Sequence, residues 1–241
     1  MSGGSDIDAT EPAAADLAAT DAAATRIAYD AVAQDYADLL RDDLRGNVFD
    51  RAVLGIFAEQ LSGDGGGPVA DLGCGPGRIA GHLAELGLDV SGIDLSPGMV
   101  EVARREHPDI PFAVGSMLDL PFDEAELAGA LAWYSIIHIP QSEQDALFAE
   151  FARVVRPGGR LLLAFQVSTA GDEDVGHLTH AYGHDIDLRT RRQSPERVRR
   201  RLAAAGFTVT GEVLREPVAP EKSRQAYLLA QRGAGSESSA S

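Results

Sequence analysis

Apolar positions recur along this chain in two rhythms. From residue 25 onward Ile27, Ala31, Tyr36, Leu39 and Leu40 fall at helical spacing and predict a helix. Val53, Phe57 and Leu61 do the same over 48–61, and residues 62–68 form a glycine-rich break. Short apolar runs then alternate with helical segments. A strand at 69–72 leads into a helix that reaches residue 86, with Ile79, Leu83 and Leu86 on one side. A strand at 90–94 leads into a helix at 97–105 opened by Pro97, and a short strand follows at 111–114. Next come a strand at 127–133, a helix at 141–154 capped by Ser142 and a strand at 159–165. Ser194-Pro195-Glu196 opens a helix that ends at Gly206, with Glu196 near the positive end of its dipole. Strands at 207–214 and 225–231 close the pattern. Strands alternating with helices imply a parallel sheet.

The most informative stretch is Val69-Ala70-Asp71-Leu72-Gly73-Cys74-Gly75-Pro76-Gly77-Arg78. It is a strand, a tight turn and a helix start. Glycines there let backbone approach a ligand, and the helix N-terminus adds unpaired N–H groups. A dinucleotide site carries G-x-G-x-x-G, with an acid about twenty residues on. Here the glycines give G-x-G-x-G, one residue shorter, while the later acid is present as Asp94 at the end of Val90-Ser91-Gly92-Ile93-Asp94. A carboxylate in that place can accept hydrogen bonds from both ribose hydroxyls.

Asp71-Leu72-Gly73-Cys74-Gly75-Pro76-Gly77 resembles the first motif of class I S-adenosylmethionine-dependent methyltransferases of the small-molecule type. Gly92-Ile93-Asp94-Leu95-Ser96-Pro97-Gly98-Met99 resembles the ribose segment that follows, and Arg156-Pro157-Gly158-Gly159-Arg160-Leu161 the late turn into the fifth strand. The resemblance spans roughly residues 26–232. It implies a Rossmann-like doubly wound α/β sheet of seven strands in the order 3-2-1-4-5-7-6, mostly parallel with an antiparallel C-terminal pair. It also implies S-adenosylmethionine as cofactor and S-adenosylhomocysteine as product.

The same resemblance distributes the cofactor contacts. Backbone at Gly73 and Gly75 faces the methionine part, Asp71 orders the loop or reaches the amino group through water, and Asp94 holds the ribose. Leu95 and Met99 pack near the adenine. Ser116, Met117 and Leu118 border it, with Ser116 standing where the family often carries an acid. Backbone at Trp133 and Tyr134 lies under the cofactor; core packing is the alternative role for these rings. Tyr29-Asp30-x-x-Ala33-x-x-Tyr36 resembles a lid helix, in which Tyr29 and Tyr36 share a face and a tyrosine reaches the cofactor carboxylate. Cys74 is a small residue packing beneath the loop rather than a nucleophile.

Methyl transfer from a sulfonium is an in-line displacement. The protein must align the nucleophile at about 3–3.5 Å and exclude water. His138, in Ser135-Ile136-Ile137-His138-Ile139-Pro140, is the candidate base on the acceptor side with Tyr134, because an imidazole of pKa about 6.5 suits proton transfer at neutral pH. A capping or substrate-positioning histidine is the competing role. His177, His180, Tyr182 and His184 lie where this family builds an acceptor-side wall. No cysteine joins the three histidines, and no metal is assigned to them.

Composition sets the remaining bounds. The chain has 241 residues, 44% of them hydrophobic, and a net charge of -16. The length suits one domain over 25–232, with lid helices at 25–61 and an acceptor-side insertion at 166–193. Residues 1–24, acidic and alanine-rich, read as a solvated tail that turns helical toward its end, and 233–241 as another loose tail. So acidic a chain is a poor partner for nucleic acid or an anionic membrane, and the Asn-Pro-Pro-Tyr motif of amino-methylating nucleic-acid enzymes is absent. The arginines at 189, 191, 192, 197 and 199–201 read as a solvated face. One cysteine, no apolar span and no secretory signal point to the cytoplasm. A small-molecule acceptor methylated on oxygen or nitrogen is the leading expectation, with carbon as a variant. A non-catalytic cofactor binder is an alternative. A nicotinamide-dependent oxidoreductase is another, disfavoured by the glycine spacing and by a single lysine, Lys222.

Overall fold

The computed structural model describes residues 14–168 and 174–234, with side chains from residue 19. Asp6, Asp8 and Glu11 of the acidic N-terminal segment, the side chain of Asp16, the insertion residues Asp172 and Glu173, and the residues beyond 234 lie outside this description. The chain opens with helix α1 (Ala14–Leu40), the short α2 (Asp43–Gly46) and α3 (Val48–Gly63). The alternating half follows: β1 (Pro68–Leu72), α4 (Arg78–Glu85), β2 (Asp89–Asp94), α5 (Pro97–Glu106), β3 (Phe112–Val114) and β4 (Leu127–Trp133). A short turn helix (Ile136–His138) leads to α6 (Gln144–Val154) and β5 (Val155–Gln166). The last elements are β6 (Asp174–Ala181), β7 (His184–Arg192), α7 (Pro195–Ala204), β8 (Phe207–Arg215) and β9 (Gln225–Arg232).

The main sheet has seven strands in the order β3-β2-β1-β4-β5-β9-β8. β1 to β5 pair in parallel, and β9 is antiparallel to both β5 and β8. Every residue of β4 is buried, as a central strand covered on both faces requires. Its Gly129 makes room for α3, since a Cβ there would lie 2.8 Å from Leu61 Cδ2. Strand order reverses between β1 and β4, so a crevice opens beyond the carboxyl ends of those strands.

Several local expectations are corrected. α1 begins at Ala14, so the helical end expected of the tail and the helix expected from residue 25 form one continuous element. Its buried stripe is Ala28, Val32, Ala33 and Ala37 against Met99 and Val102 of α5. Ile27 and Leu39 are 59% and 67% exposed, so the helix is rotated away from the face its larger residues suggest. The small alanines win because they allow close approach to α5. Leu86 lies past the end of α4 and is exposed, leaving Ile79 and Leu83 to pack. α6 starts at Gln144 without a side-chain cap, so Ser142 sits in the preceding turn.

The insertion after β5 is a separate antiparallel hairpin, β6 with β7. Its two-residue turn is Tyr182-Gly183, both with positive φ (53 and 81), which matches the right-handed twist of paired strands. The arginines read as a solvated face are partly structural. Arg191 of β7 is buried, and with Arg189 it grips the carboxylate of Asp21 on α1.

Candidate active site

The turn after β1 builds the floor. Gly73, Gly75 and Gly77 have φ of 78, 53 and 82, a region that disfavours any side chain. A Cβ on Gly73 would lie 2.3 Å from the Cβ of Ser135, whose hydroxyl donates to the Leu72 carbonyl at 2.6 Å. Above Gly75 nothing lies within 4 Å of a Cβ, so that backbone is open. Cys74 is buried beneath the loop, and burial pushes its thiol well up, the state of a packing residue.

Asp94 ties two walls together. One carboxylate oxygen accepts the Gly75 N–H and the other the Ser96 N–H, each at 2.8 Å. Burial raises its pKa, and those amide donors oppose the rise. Ser96 caps α5 by accepting the Met99 N–H. Asp30 of α1 accepts from the Ser96 hydroxyl at 2.6 Å and from the Gly98 N–H at 2.9 Å. Sequence patterns give no hint of this anchor, which fixes the lid helix directly over the start of α5.

Asp71 lies under the glycine loop, 1% exposed, and neither oxygen makes a well-formed hydrogen bond. Burial pushes its carboxyl up to about 7, with the charge of Asp94 adding and Arg78 and the Ala80 N–H opposing. An uncompensated acid in such a place awaits a cation or a donor from outside the chain.

These elements line an open cleft. Of the residues expected at the cofactor, Tyr29, Tyr36, Gly73, Gly75, Asp94, Leu95 and Met99 line it, as do Ser116, Met117, Leu118, Trp133 and Tyr134. Asp71 and Cys74 lie below its surface. Tyr134 has φ 57, and its hydroxyl is turned to Tyr227 at 3.4 Å, which in turn donates to Asp50 at 2.7 Å. The strained backbone is therefore what Tyr134 offers to the cleft, while its phenol stays in the core. Ser116 Oγ accepts the Leu118 N–H, which shapes the turn after β3. The wall also includes residues without a sequence signal: Ala22, Thr25 and Arg26 of α1, and Ile139, Pro140 and Glu143 after β4.

His138 lines the cleft but is not free. Its Nε2 lies 2.9 Å from the Tyr29 hydroxyl, and its Nδ1 lies 3.2 Å from the Arg189 carbonyl. One ring edge faces the cleft, yet protein surrounds it, and that enclosure pushes its pKa down to about 4, with the charge of Arg191 adding and the bond to Arg189 opposing. The expected base is thus a neutral, weak one whose basic nitrogen already has a partner.

The other histidines are corrected outright. His177 pairs with Asp187, His180 with Asp185 and His184 with Asp35 on α1; the first two are exposed, His184 is half-buried, and none lines the cleft. The hairpin turns His177 and His180 to solvent and His184 toward α1. Tyr182 packs edge-on against Tyr36, behind the lid rather than in the cavity. Among the described residues no group of three His, Cys, Asp or Glu is placed to hold a metal ion, and no helix is long and apolar enough to cross a membrane.

With this geometry in hand, comparison with known proteins is direct. Residues 69–159 match the family model described as a methyltransferase domain. The demethylmenaquinone methyltransferase of Beutenbergia cavernae is 35% identical over 136 residues, covering 56% of this chain and 55% of that protein. The O-methyltransferase cnsE of Penicillium expansum is 35% identical over 116 residues, covering 45% and 41%. The chain thus spans about half the length of the curated relatives it matches. The 1,6-didemethyltoxoflavin-N1-methyltransferase of Burkholderia thailandensis, solved with 1,6-didemethyltoxoflavin and S-adenosylhomocysteine, has a TM-score of 0.66 at 21% identity, covering 94% of this chain and 93% of that one. At that identity the likeness is one of fold. Strand order, glycine loop and domain match together define a class I methyltransferase fold. Residues 69–159 are thus similar to methyltransferase domains, and the chain as a whole shares their fold.

Proposed function

We propose that this protein is an S-adenosylmethionine-dependent methyltransferase acting on an oxygen or nitrogen of a small-molecule acceptor, with carbon the less favoured atom. The observation that carries the reading is Asp94. Its carboxylate joins the glycine loop to α5 and stays on the cleft wall, where its remaining lone pairs suit a ribose diol. The unpaired acid below the loop, Asp71, suits the amino group of an amino-acid moiety, and Leu95, Met99 and Met117 suit the faces of a base.

When bound, the cofactor supplies a sulfonium methyl: the acceptor atom bonds the methyl carbon, the carbon–sulfur bond breaks with its electrons kept by sulfur, and any acceptor proton is lost. The chain's own work is alignment and exclusion of water. α1 covers the cleft through Tyr29 and Tyr36, held at Asp30 on one side and at Asp21 on the other. Ala22, Thr25, Ile139 and Pro140 leave room for a compact acceptor beside His138. The net charge of -16 favours a small molecule over nucleic acid or an anionic membrane, and one buried thiol fits the cytoplasm.

The test is release of S-adenosylhomocysteine across phenols, catechols, amines, carboxylic acids and thiols, with and without a metal chelator. Turnover with one class, indifferent to chelator, is the expected result. Cofactor binding with no turnover of any class would leave a binding protein in place of an enzyme.

A further inference from the structure

The hydrogen bonds of His138 have a consequence beyond the reading above, on which this inference rests. The Arg189 carbonyl can only accept, so Nδ1 carries the ring proton. The ring is neutral, so Nε2 has a lone pair and no hydrogen, and the partner at 2.9 Å, the Tyr29 hydroxyl, must donate to it. Burial raises the Tyr29 phenol well above its ordinary value, so it keeps that proton to donate. The two rings meet edge-on at 5.3 Å. With its one proton committed, the Tyr29 oxygen is an acceptor only, and Tyr29 lines the cleft.

We propose that His138 is a positioning residue that acts through Tyr29, fixing the Tyr29 oxygen as an acceptor for the N–H of an amine substrate. Three observations favour an amine over a hydroxyl or carbon acid. An amine attacks through its own lone pair and sheds its proton to water afterwards, so it needs no strong base, and the histidine here is a weak one. A carbon nucleophile offers the Tyr29 oxygen no hydrogen-bond donor. Glu143 adds a carboxylate to the cleft wall, which favours a neutral amine, whose nitrogen becomes cationic as it is methylated, over a phenolate. The charges facing His138 come from three elements: Tyr29 with Asp21 on α1, and Arg189 and Arg191 on β7, while the His138 carbonyl on the turn helix accepts from Arg191.

Two measurements on the full chain test this. The first needs no activity: nitrogen-15 NMR of the histidine rings between pH 5 and 8 on ligand-free protein, with His138→Gln for assignment. The expected result is a single neutral Nδ1–H form over the whole range, whose Nε2 resonance moves in Tyr29→Phe. A ring that titrates near its ordinary value, or an Nε2 signal indifferent to Tyr29→Phe, overturns the coupling.

The second compares turnover of an amine panel. In His138→Gln the amide oxygen takes the place of Nε2 and can accept from Tyr29 without ever carrying a proton. In His138→Asn the shorter side chain reaches only the Nδ1 position. We expect His138→Gln to keep turnover within about threefold, with an unchanged pH profile, and His138→Asn and Tyr29→Phe to lose at least about tenfold, the worth of one hydrogen bond. Equal losses in Gln and Asn would make His138 a proton carrier and overturn its positioning role. Turnover confined to phenols or carbon acids overturns the amine assignment. A wild-type protein inert toward every acceptor counts against methyl transfer itself, and the NMR result still decides the coupling.

Discussion

Replacing Asp71 with Asn should stabilise the ligand-free protein, and should do so increasingly as pH rises from about 4 to 7. The acid is 1% exposed and lacks a well-formed hydrogen bond. Burial moves its pKa from 3.8 to about 7. The folded state therefore holds a proton more tightly than the unfolded chain between those values. Stability falls as pH rises through that window, and the full penalty of an ionised Asp71 is present above about pH 7. At about 1.4 kcal/mol per tenfold change in proton affinity, the penalty is about 4 kcal/mol, an upper figure because Asp94 titrates in the same field. Asn has the shape of the neutral acid and no such penalty. Urea or thermal unfolding should put the variant ahead by about 1 kcal/mol at pH 4.5, rising to at most about 4 kcal/mol at pH 8. For a domain of this size that is roughly 10 °C in melting temperature. Saturating S-adenosylhomocysteine should narrow the gap at pH 8, because its ammonium offsets the charge of Asp71 and does nothing for Asn. A stability difference independent of pH would refute the reasoning, since it would show that Asp71 is ionised at no net penalty.

Three further predictions follow from other parts of the structure. Gly73→Ala forces a side chain into a left-handed backbone and onto Ser135, so it should cost at least about 1–2 kcal/mol in unfolding experiments and abolish S-adenosylhomocysteine binding by calorimetry; normal binding would contradict the close-packed loop. Asp21→Ala leaves Arg191 buried without its carboxylate, a loss of about 3–5 kcal/mol where such a pair is broken. Hydrogen exchange should show that loss as faster opening of the first half of α1 with the main sheet unchanged, and uniform protection would show that the pair does not latch the helix. The triple replacement of His177, His180 and His184 by Ala should leave turnover within about twofold and chelator-insensitive, because none lines the cleft and each pairs with a carboxylate. A large loss would return the hairpin histidines to the acceptor site.

The parallel half of the fold was legible because its signals are local. Buried parallel strands appear as continuous apolar runs, such as 127–133, and the glycine loop needs positive φ where only glycine is comfortable. Asp94 was legible for the same reason, being fixed by its place at the end of β2. The lid was not. Its orientation depends on alanines packed on Met99 and Val102 and on the reach of Asp30 to Ser96, both set by tertiary contact. Alanine-rich sequence before residue 25 has no apolar stripe to announce a helix, though alanine favours one. The hairpin was announced only by Tyr182-Gly183 and a polar alternation, and its strands bury only Leu188 and Arg191. Asp21 meets Arg189 and Arg191 across most of the chain, a pairing that no spacing rule reaches. His138 was found as a residue, while its chemistry depended on Tyr29 and on a carbonyl of β7, neither visible from its neighbours in sequence.

The most direct test of the whole account is calorimetric binding of S-adenosylhomocysteine to the wild-type chain and to Asp94→Ala, with reduced nicotinamide dinucleotide titrated in parallel. The account predicts one site on the wild type, no binding of the dinucleotide, and an affinity at least about tenfold lower in the variant. That is the loss expected for a charge-assisted hydrogen bond of about 1.5–3 kcal/mol. Equal affinity in both proteins, or binding of the dinucleotide in place of S-adenosylhomocysteine, would contradict the assignment of this cleft.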